Sequence, residues 1–266
     1  IYKAASDLIF QMNLTKAGKL TGDSKMTSKK AQETLDEIIR VEGTKEADRA
    51  FKATLKVLDA PKVVNTSEKM TTEELVEKAK IIDKALQMAD RPNMPVKKIR
   101  VFDFDDTLAT SKNIVIAEKG SEKIELNAEQ FAERGMELID QGYTMDFSDF
   151  NKVTDGGRGP LFKVAEAIKK ARGNEDLFVL TARAPESQKA IYEFLKAEGL
   201  EFKEENIIGL GKSTGEAKAD WIIGKAAEGY NDFFFADDAV QNVKAVKRVL
   251  DVIDVKSKVQ QARLNT

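Results

Sequence analysis

In the stretch Ile99-Arg100-Val101-Phe102-Asp103-Phe104-Asp105-Asp106-Thr107-Leu108, a short, largely apolar run gives way to three carboxylates within four positions. Residues 99–102 read as a strand, and three further apolar runs follow at 177–180, 207–210 and 233–235. Helical stretches at 164–171, 187–198, 217–227 and 240–250 lie between or after them. That alternation is βαβ texture. Strands buried on both faces read as continuous apolar runs, so an α/β domain with a mainly parallel sheet and helices on each side is expected. In such a sheet a ligand sits beyond the carboxyl ends of the strands. The polar residues fall there: Asp103 to Asp106 after the first run, Thr181-Ala182-Arg183 after the second, Lys218 at the mouth of the helix after the third, and Asp237-Asp238 after the fourth. Clustered carboxylates repel unless a cation neutralises them. Two Asp groups, a hydroxyl and a Lys at one sheet edge describe a site for a metal-bound phosphoryl group.

The composition narrows the chemistry further. The 266 residues contain neither Cys nor His, which excludes disulfides, thiolate nucleophiles, Ser-His-Asp triads and Cys- or His-based metal centres. Carboxylates, Lys and hydroxyls remain, and the hard-ligand metal that suits them is Mg²⁺. No apolar stretch approaches the roughly 18–20 residues of a membrane span, and no secretory leader pattern is present. The expectation is a cytoplasmic protein with no membrane partner. Charges number 19 basic against 15 acidic over 1–98 and 24 against 30 over 99–266. A nucleic-acid footprint normally concentrates cations on one face of a clearly basic domain, so that partner is not favoured.

Residues 1–95 read as a helical N-terminal extension. Thr27-Ser28 opens one helix that Gly43 ends, and 44–58 and 75–89 carry apolar stripes at helical spacing. Thr71 with Glu74 offers a capping box for the last of these. Arg91-Pro92-Asn93-Met94-Pro95 stops it, and the domain boundary is placed there. The chain begins at Ile1, which predicts a segment of a longer polypeptide.

The string Val101 to Leu108 (VFDFDDTL), followed in order by LFVLTAR, a Lys opening a helix, and FFFADD, resembles the haloacid dehalogenase-like superfamily of aspartate-nucleophile phosphohydrolases over about residues 97–255. GYNDFFFADDAVQNVKAVK and KSKVQQARLN look like the version of this domain carried in large multidomain phage proteins. The resemblance implies a Rossmann-like three-layer fold over 96–266 with a small cap insertion at about 109–160. It also implies a Mg²⁺-dependent phosphomonoester hydrolase acting through an aspartyl-phosphate. Asp103 would be the nucleophile. Asp105 would protonate the leaving oxygen and then deprotonate water, and Thr181 would bind a phosphate oxygen. Lys218 would neutralise phosphate and nucleophile, and Asp103, Asp237 and the backbone carbonyl of Asp105 would hold the metal, with Asp238 a second acidic contributor. Thr107 would tie the turn, and Asp106 stands where a Gly is often seen. Lys212 and Lys225 are the alternatives to Lys218 for the phosphate lysine. The loop 209–214 imitates the end of a P-loop but lacks the earlier Gly, because Asn206 holds that place.

Within the insertion, 113–118 and 123–126 read as a hairpin flap, followed by a helix over 127–140 and a Gly-rich loop over 155–160. On that loop Arg158 is the expected substrate contact. A small cap implies an open cleft able to take small phosphorylated molecules or macromolecular ends. Two other functions stay open: a structural or interaction module of a phage particle, placed in an infected cell or virion among neighbouring segments of the larger protein, and a nucleic-acid end phosphatase. Several residues also have plainer readings. Asp237-Asp238 suits a helix N-cap, Arg183 could be a surface residue or a substrate contact, and Trp221 with 233–235 reads as core.

Overall fold

The computed structural model describes residues 72–91 and 93–263. In chain order the elements begin with α1 (Thr72–Ala89), β1 (Lys98–Phe102), β2 (Ala109–Thr110), β3 (Val115–Lys119), β4 (Glu122–Leu126), α2 (Ala128–Asp140), β5 (Thr144–Asp146), β6 (Gly157–Arg158) and α3 (Phe162–Arg172). They continue with β7 (Leu177–Thr181), α4 (Gln188–Ala197), β8 (Ile207–Gly209), α5 (Gly215–Ala227), β9 (Asp232–Asp237), α6 (Val240–Ile253) and β10 (Lys256–Gln261). The helices expected from Thr27 and over 44–58, and the capping role of Thr71, lie outside the described residues.

The fold is α/β around a five-stranded, mainly parallel sheet in the order β10-β9-β1-β7-β8. Both β7 and β9 are buried along their whole length, which is why they read as unbroken apolar runs. In β1, Ile99, Val101 and Phe102 are fully buried. Phe102 meets Phe234 on the neighbouring strand at 5.4 Å between ring centroids. Each such phenyl ring removed from water contributes about 2–3 kcal/mol. Facing them from the loops and helices are Phe104, Leu108, Phe162, Ile191 and Leu195.

Topology then sets where the candidate site lies. From β1 the chain steps to β7 and β8 on one side, then returns across β1 to β9 and β10 on the other. The order reverses between β1 and β9, and the crevice beyond the carboxyl ends of those two strands is the switch point. Asp103 follows β1, Asp237 ends β9, and the Asp103 N–H donates to the carbonyl of Ala236 at 2.8 Å.

Segment 115–146 folds apart from this sheet as a three-stranded antiparallel sheet in the order β4-β3-β5 with α2. The expected hairpin is β3–β4, and Asn127 closes a capping box with Gln130 at the start of α2. A small core of Val115, Ala117, Leu126 and Leu138 holds it together. The Gly-rich stretch is not a free loop. Gly157–Arg158 forms β6 against β2, and the Gly159 N–H donates to the Leu108 carbonyl at 2.8 Å. A Cβ on Gly159 would lie 2.6 Å from the Thr107 carbonyl oxygen, so the glycine permits a backbone-to-backbone approach.

A second group of residues comprises 72–97 with Ala219–Asp232 and Lys247–Ser257. Here α1 buries Ala79 and Ala85, and Lys78 pairs with Asp220 at 2.8 Å. After the prolines the chain is gripped by Asn231, whose side chain accepts from the Lys97 N–H and donates to the Pro95 carbonyl.

Gly209, in the stretch that imitates a P-loop, has a packing reason. An added Cβ would lie 2.5 Å from the Ala184 carbonyl oxygen and 2.9 Å from Pro185 Cα, both backbone. Gly209→Ala is expected to destabilise the protein by about 1–3 kcal/mol, the range for overpacking a well-filled site, read as a lower urea midpoint with an unchanged slope. An unchanged midpoint would remove this explanation.

Candidate active site at the sheet switch point

Asp103, Asp237, Asp238 and Lys218 come together from the ends of β1 and β9 and the first turn of α5. Lys218 Nζ lies 2.6 Å from Asp103 Oδ1 and 2.6 Å from Asp237 Oδ2, with its side chain only 2% exposed. Of the three lysines between β8 and β9, it is the one that reaches the carboxylates. Lys212 is exposed, and Lys225 pairs with Glu228 and lies over the Trp221 ring. The ammonium has three protons, and the third has no partner among the described residues.

Asp103, Asp237 and Asp238 each offer an oxygen, and those atoms lie within 4.8 Å of one another. Three carboxylates against one ammonium leave the cluster over-supplied with negative charge. Burial pushes Asp103 well above the ordinary carboxylate range, with Asp237 and Asp105 adding to the effect while Lys218 opposes it. Burial works against the charge of Lys218 as well, but Asp103 and Asp237 outweigh it and hold the lysine above its usual value. Asp238 is pushed up to about 6 by burial, then by Asp237 and Asp106. A hard divalent cation with oxygen ligands matches this donor set and would relieve the repulsion.

The remaining partners hold the cluster in shape. Asp237 Oδ1 accepts from the Ala239 N–H at 3.0 Å, an Asx-type turn just before α6. Asn242 Nδ2 donates to both Asp237 oxygens, at 3.0 and 3.1 Å. Gln261 donates to the Asp238 carbonyl, and the Ala262 N–H to that of Asp237, so the end of β10 fixes the Asp237–Asp238 turn. Thr107 donates to Asp103 Oδ2 at 3.4 Å. Asp106 takes φ 53°, the left-handed region that glycine favours and Asp tolerates.

Thr181 is buried at the carboxyl end of β7, where its Oγ1 accepts from the Arg183 N–H at 3.1 Å. Its hydroxyl proton has no acceptor among the described residues. The Asp105 carboxylate stands apart from the three-Asp group, bound on both oxygens by Arg183. Arg183 is not a surface residue, since its side chain is 2% exposed. Arg158 is likewise engaged within the fold. It donates to the Glu198 carboxylate at 2.8 Å and carbonyl at 2.6 Å, pairs with Glu166 at 3.8 Å, and lies over the Phe162 ring. It lies on a strand, not on a free loop, and its guanidinium is occupied within the fold while the side chain stays 48% exposed.

Sequence reading missed Asn242, Gln261 and the role of Arg183. Asn242 sits five residues after Asp237, in the first turn of α6, a spacing that faces the carboxylate across the cap.

The raised Asp238 value carries a stability signature. Its folded value of about 6 exceeds the usual ~3.9 of an exposed Asp, so the native state holds the proton more tightly and stability falls as pH rises from about 4 to about 6. Asp238→Asn removes that penalty. In metal-free protein it is expected to be neutral near pH 4 and to stabilise by about 1–2 kcal/mol above pH 6, allowing for solvent screening of a half-buried group. Equal denaturation midpoints of variant and parent at pH 7 would contradict this. Among the described residues no helix is long and apolar enough to cross a membrane. In comparisons with known proteins, no family model, no curated protein and no solved structure matches the chain.

Proposed function

We propose that the protein is a Mg²⁺-dependent phosphomonoester hydrolase that works through an aspartyl-phosphate on Asp103. It is built as a Rossmann-like α/β domain with residues 109–160 as a small cap, in the manner of the haloacid dehalogenase-like superfamily. The observation that carries this reading is the convergence of Asp103, Asp237, Asp238 and Lys218 within hydrogen-bond and metal-ligand reach at the switch point.

In the first step an Asp103 oxygen attacks phosphorus, the bond to the leaving oxygen breaks, and a proton from Asp105 ends on that oxygen. In the second step Asp105 takes a proton from water, whose oxygen attacks phosphorus. The bond to Asp103 then breaks with its electron pair returning to the carboxylate. The proton gained from water is thus the one given to the next leaving group, and the cycle closes. Thr181 has a hydroxyl proton to donate to a phosphate oxygen, and Lys218 has its third ammonium proton for another. Bound between Asp103, Asp237 and Asp238, Mg²⁺ would supply charge neutralisation for the phosphoryl oxygens.

Hydrolysis of 4-nitrophenyl phosphate tests the reading. Turnover that requires Mg²⁺ and is absent from Asp103→Asn protein supports it. Turnover no different from that control across several divalent metals and phosphomonoesters rejects it in favour of a structural module.

A further inference from the structure

Arg183 is the most fully engaged polar side chain among the described residues. Nε–H donates to Asp105 Oδ2 at 2.8 Å and NH2 to Asp105 Oδ1 at 2.7 Å, a two-pronged grip on one carboxylate. NH1 donates to the backbone carbonyls of Phe150 at 3.0 Å and Lys152 at 2.7 Å. NH2 also meets Ser111 Oγ and Asn113 Oδ1, each at 3.0 Å. The Phe104 and Phe150 rings flank the guanidinium, with centroids 5.1 and 5.0 Å from its carbon. All five donors are used, and two aromatic rings lie within cation–π reach of the guanidinium. An arrangement this complete has one orientation. It also contrasts with Asp105, whose side chain is still 35% exposed and so reachable by water.

We infer that Arg183 is a positioning residue for the second half of the reaction: it holds the Asp105 carboxylate in the orientation that takes a proton from the attacking water, and it ties that orientation to the seating of segments 111–113 and 150–152. This rests on the reading of Asp103 and Asp105 given above. The geometry favours this half of the cycle because the fork fixes both Asp105 oxygens while leaving the side chain 35% exposed, open to an attacking water. Without the fork, Asp105 has among the described residues only Ser111 Oγ, at 3.5 Å, to orient it. The Asp103 nucleophile, its Lys218 partner and the metal-capable cluster have no hydrogen bond to the guanidinium and would be left as they are.

That division gives a kinetic signature that simple loosening of the fold would not. With 4-nitrophenyl phosphate the leaving group departs without help, so kcat/KM reports phosphoryl transfer to Asp103, while kcat reports hydrolysis of the aspartyl-phosphate. Arg183→Met is expected to lower kcat about 100-fold, within the usual range for losing a positioned acid or base, and to change kcat/KM less than about 5-fold. A burst of nitrophenolate close to one equivalent per site should then precede slow turnover. Arg183→Lys keeps the charge without the fork and should give the same pattern, and it serves if the Met variant does not fold. Ser111→Ala, on the insertion side, should show the pattern more weakly. Equal losses in kcat and kcat/KM, or an unchanged kcat with no burst, would overturn the inference while leaving the hydrolase reading in place. No turnover by the parent protein above Asp103→Asn would instead end the reading and this inference with it.

Discussion

Asp103→Asn is expected to abolish phosphoryl transfer, lowering turnover by about 10⁴-fold or more, because no other group lies where the displaced nucleophile stood. Asn is nearly isosteric and can still accept from Lys218, so the loss is one of chemistry and not of shape. Stability should move little. The Asp103 carboxylate is buried, and burial pushes its proton affinity up, so the folded protein bears a cost for keeping it charged. Replacing it with a neutral amide leaves Lys218 paired with Asp237 at 2.6 Å. The expected change in unfolding free energy at pH 7 is within about 1 kcal/mol, since exchanging a buried charge for a neutral group of the same shape often comes out even. Inactive protein with a parental denaturation curve is the expected outcome. A large fall in stability would mean that Asp103 is held mainly as a structural ion-pair partner.

Lys218→Met should do the reverse and strike the fold hardest. The lysine is the one ammonium among three carboxylates, and removing it leaves Asp103 and Asp237 buried without it. Asp237 retains Asn242 and the Ala239 N–H, whereas Asp103 keeps, among the described residues, only the long contact from Thr107. Breaking a buried pair from one side costs about 3–5 kcal/mol, most of a typical domain's margin. The deficit should depend on pH with a definite sign. Without the ammonium the buried Asp103 carboxylate binds its proton more tightly folded than unfolded, so stability relative to the parent falls as pH rises above about 4 and recovers on acidification. Millimolar Mg²⁺ should restore more stability to the variant than to the parent, because a cation that binds the native state replaces the lost charge. Thermal denaturation at pH 5 and 8 with and without Mg²⁺ reads all of this. A variant as stable as the parent at pH 8 would show that the cluster does not need its lysine.

What the sequence revealed follows from how each feature is built. The strands β1, β7 and β9 were legible because burial on both faces demands unbroken apolar residues such as Phe233 to Phe235. Edge strand β10 was not legible. Lys256, Lys258, Gln260 and Gln261 show no apolar alternation, and charge on an edge strand guards against unwanted pairing. The two-residue strands β2 and β6 carry no periodic signal, so the stretch around Gly157 reads as a loop. Asp103, Asp237 and Lys218 stood out because polar residues closing an apolar strand or opening its helix have few structural reasons to be there. Arg183 had no such signal. Its partners at 105, 111, 113, 150 and 152 are assembled only by the fold, and a lone arginine after a strand looks the same whether it faces solvent or is fully gripped.

The most direct test is to trap the covalent species. Protein mixed with 4-nitrophenyl phosphate and Mg²⁺, quenched in acid within milliseconds and reduced with borohydride, should yield one modified peptide. In it Asp103 is converted to homoserine, the mark of an acyl phosphate, and omission of Mg²⁺ or the Asp103→Asn substitution should eliminate it. Turnover without any modified aspartate, or modification at a different carboxylate, would contradict the assignment of Asp103 as the group that captures phosphorus.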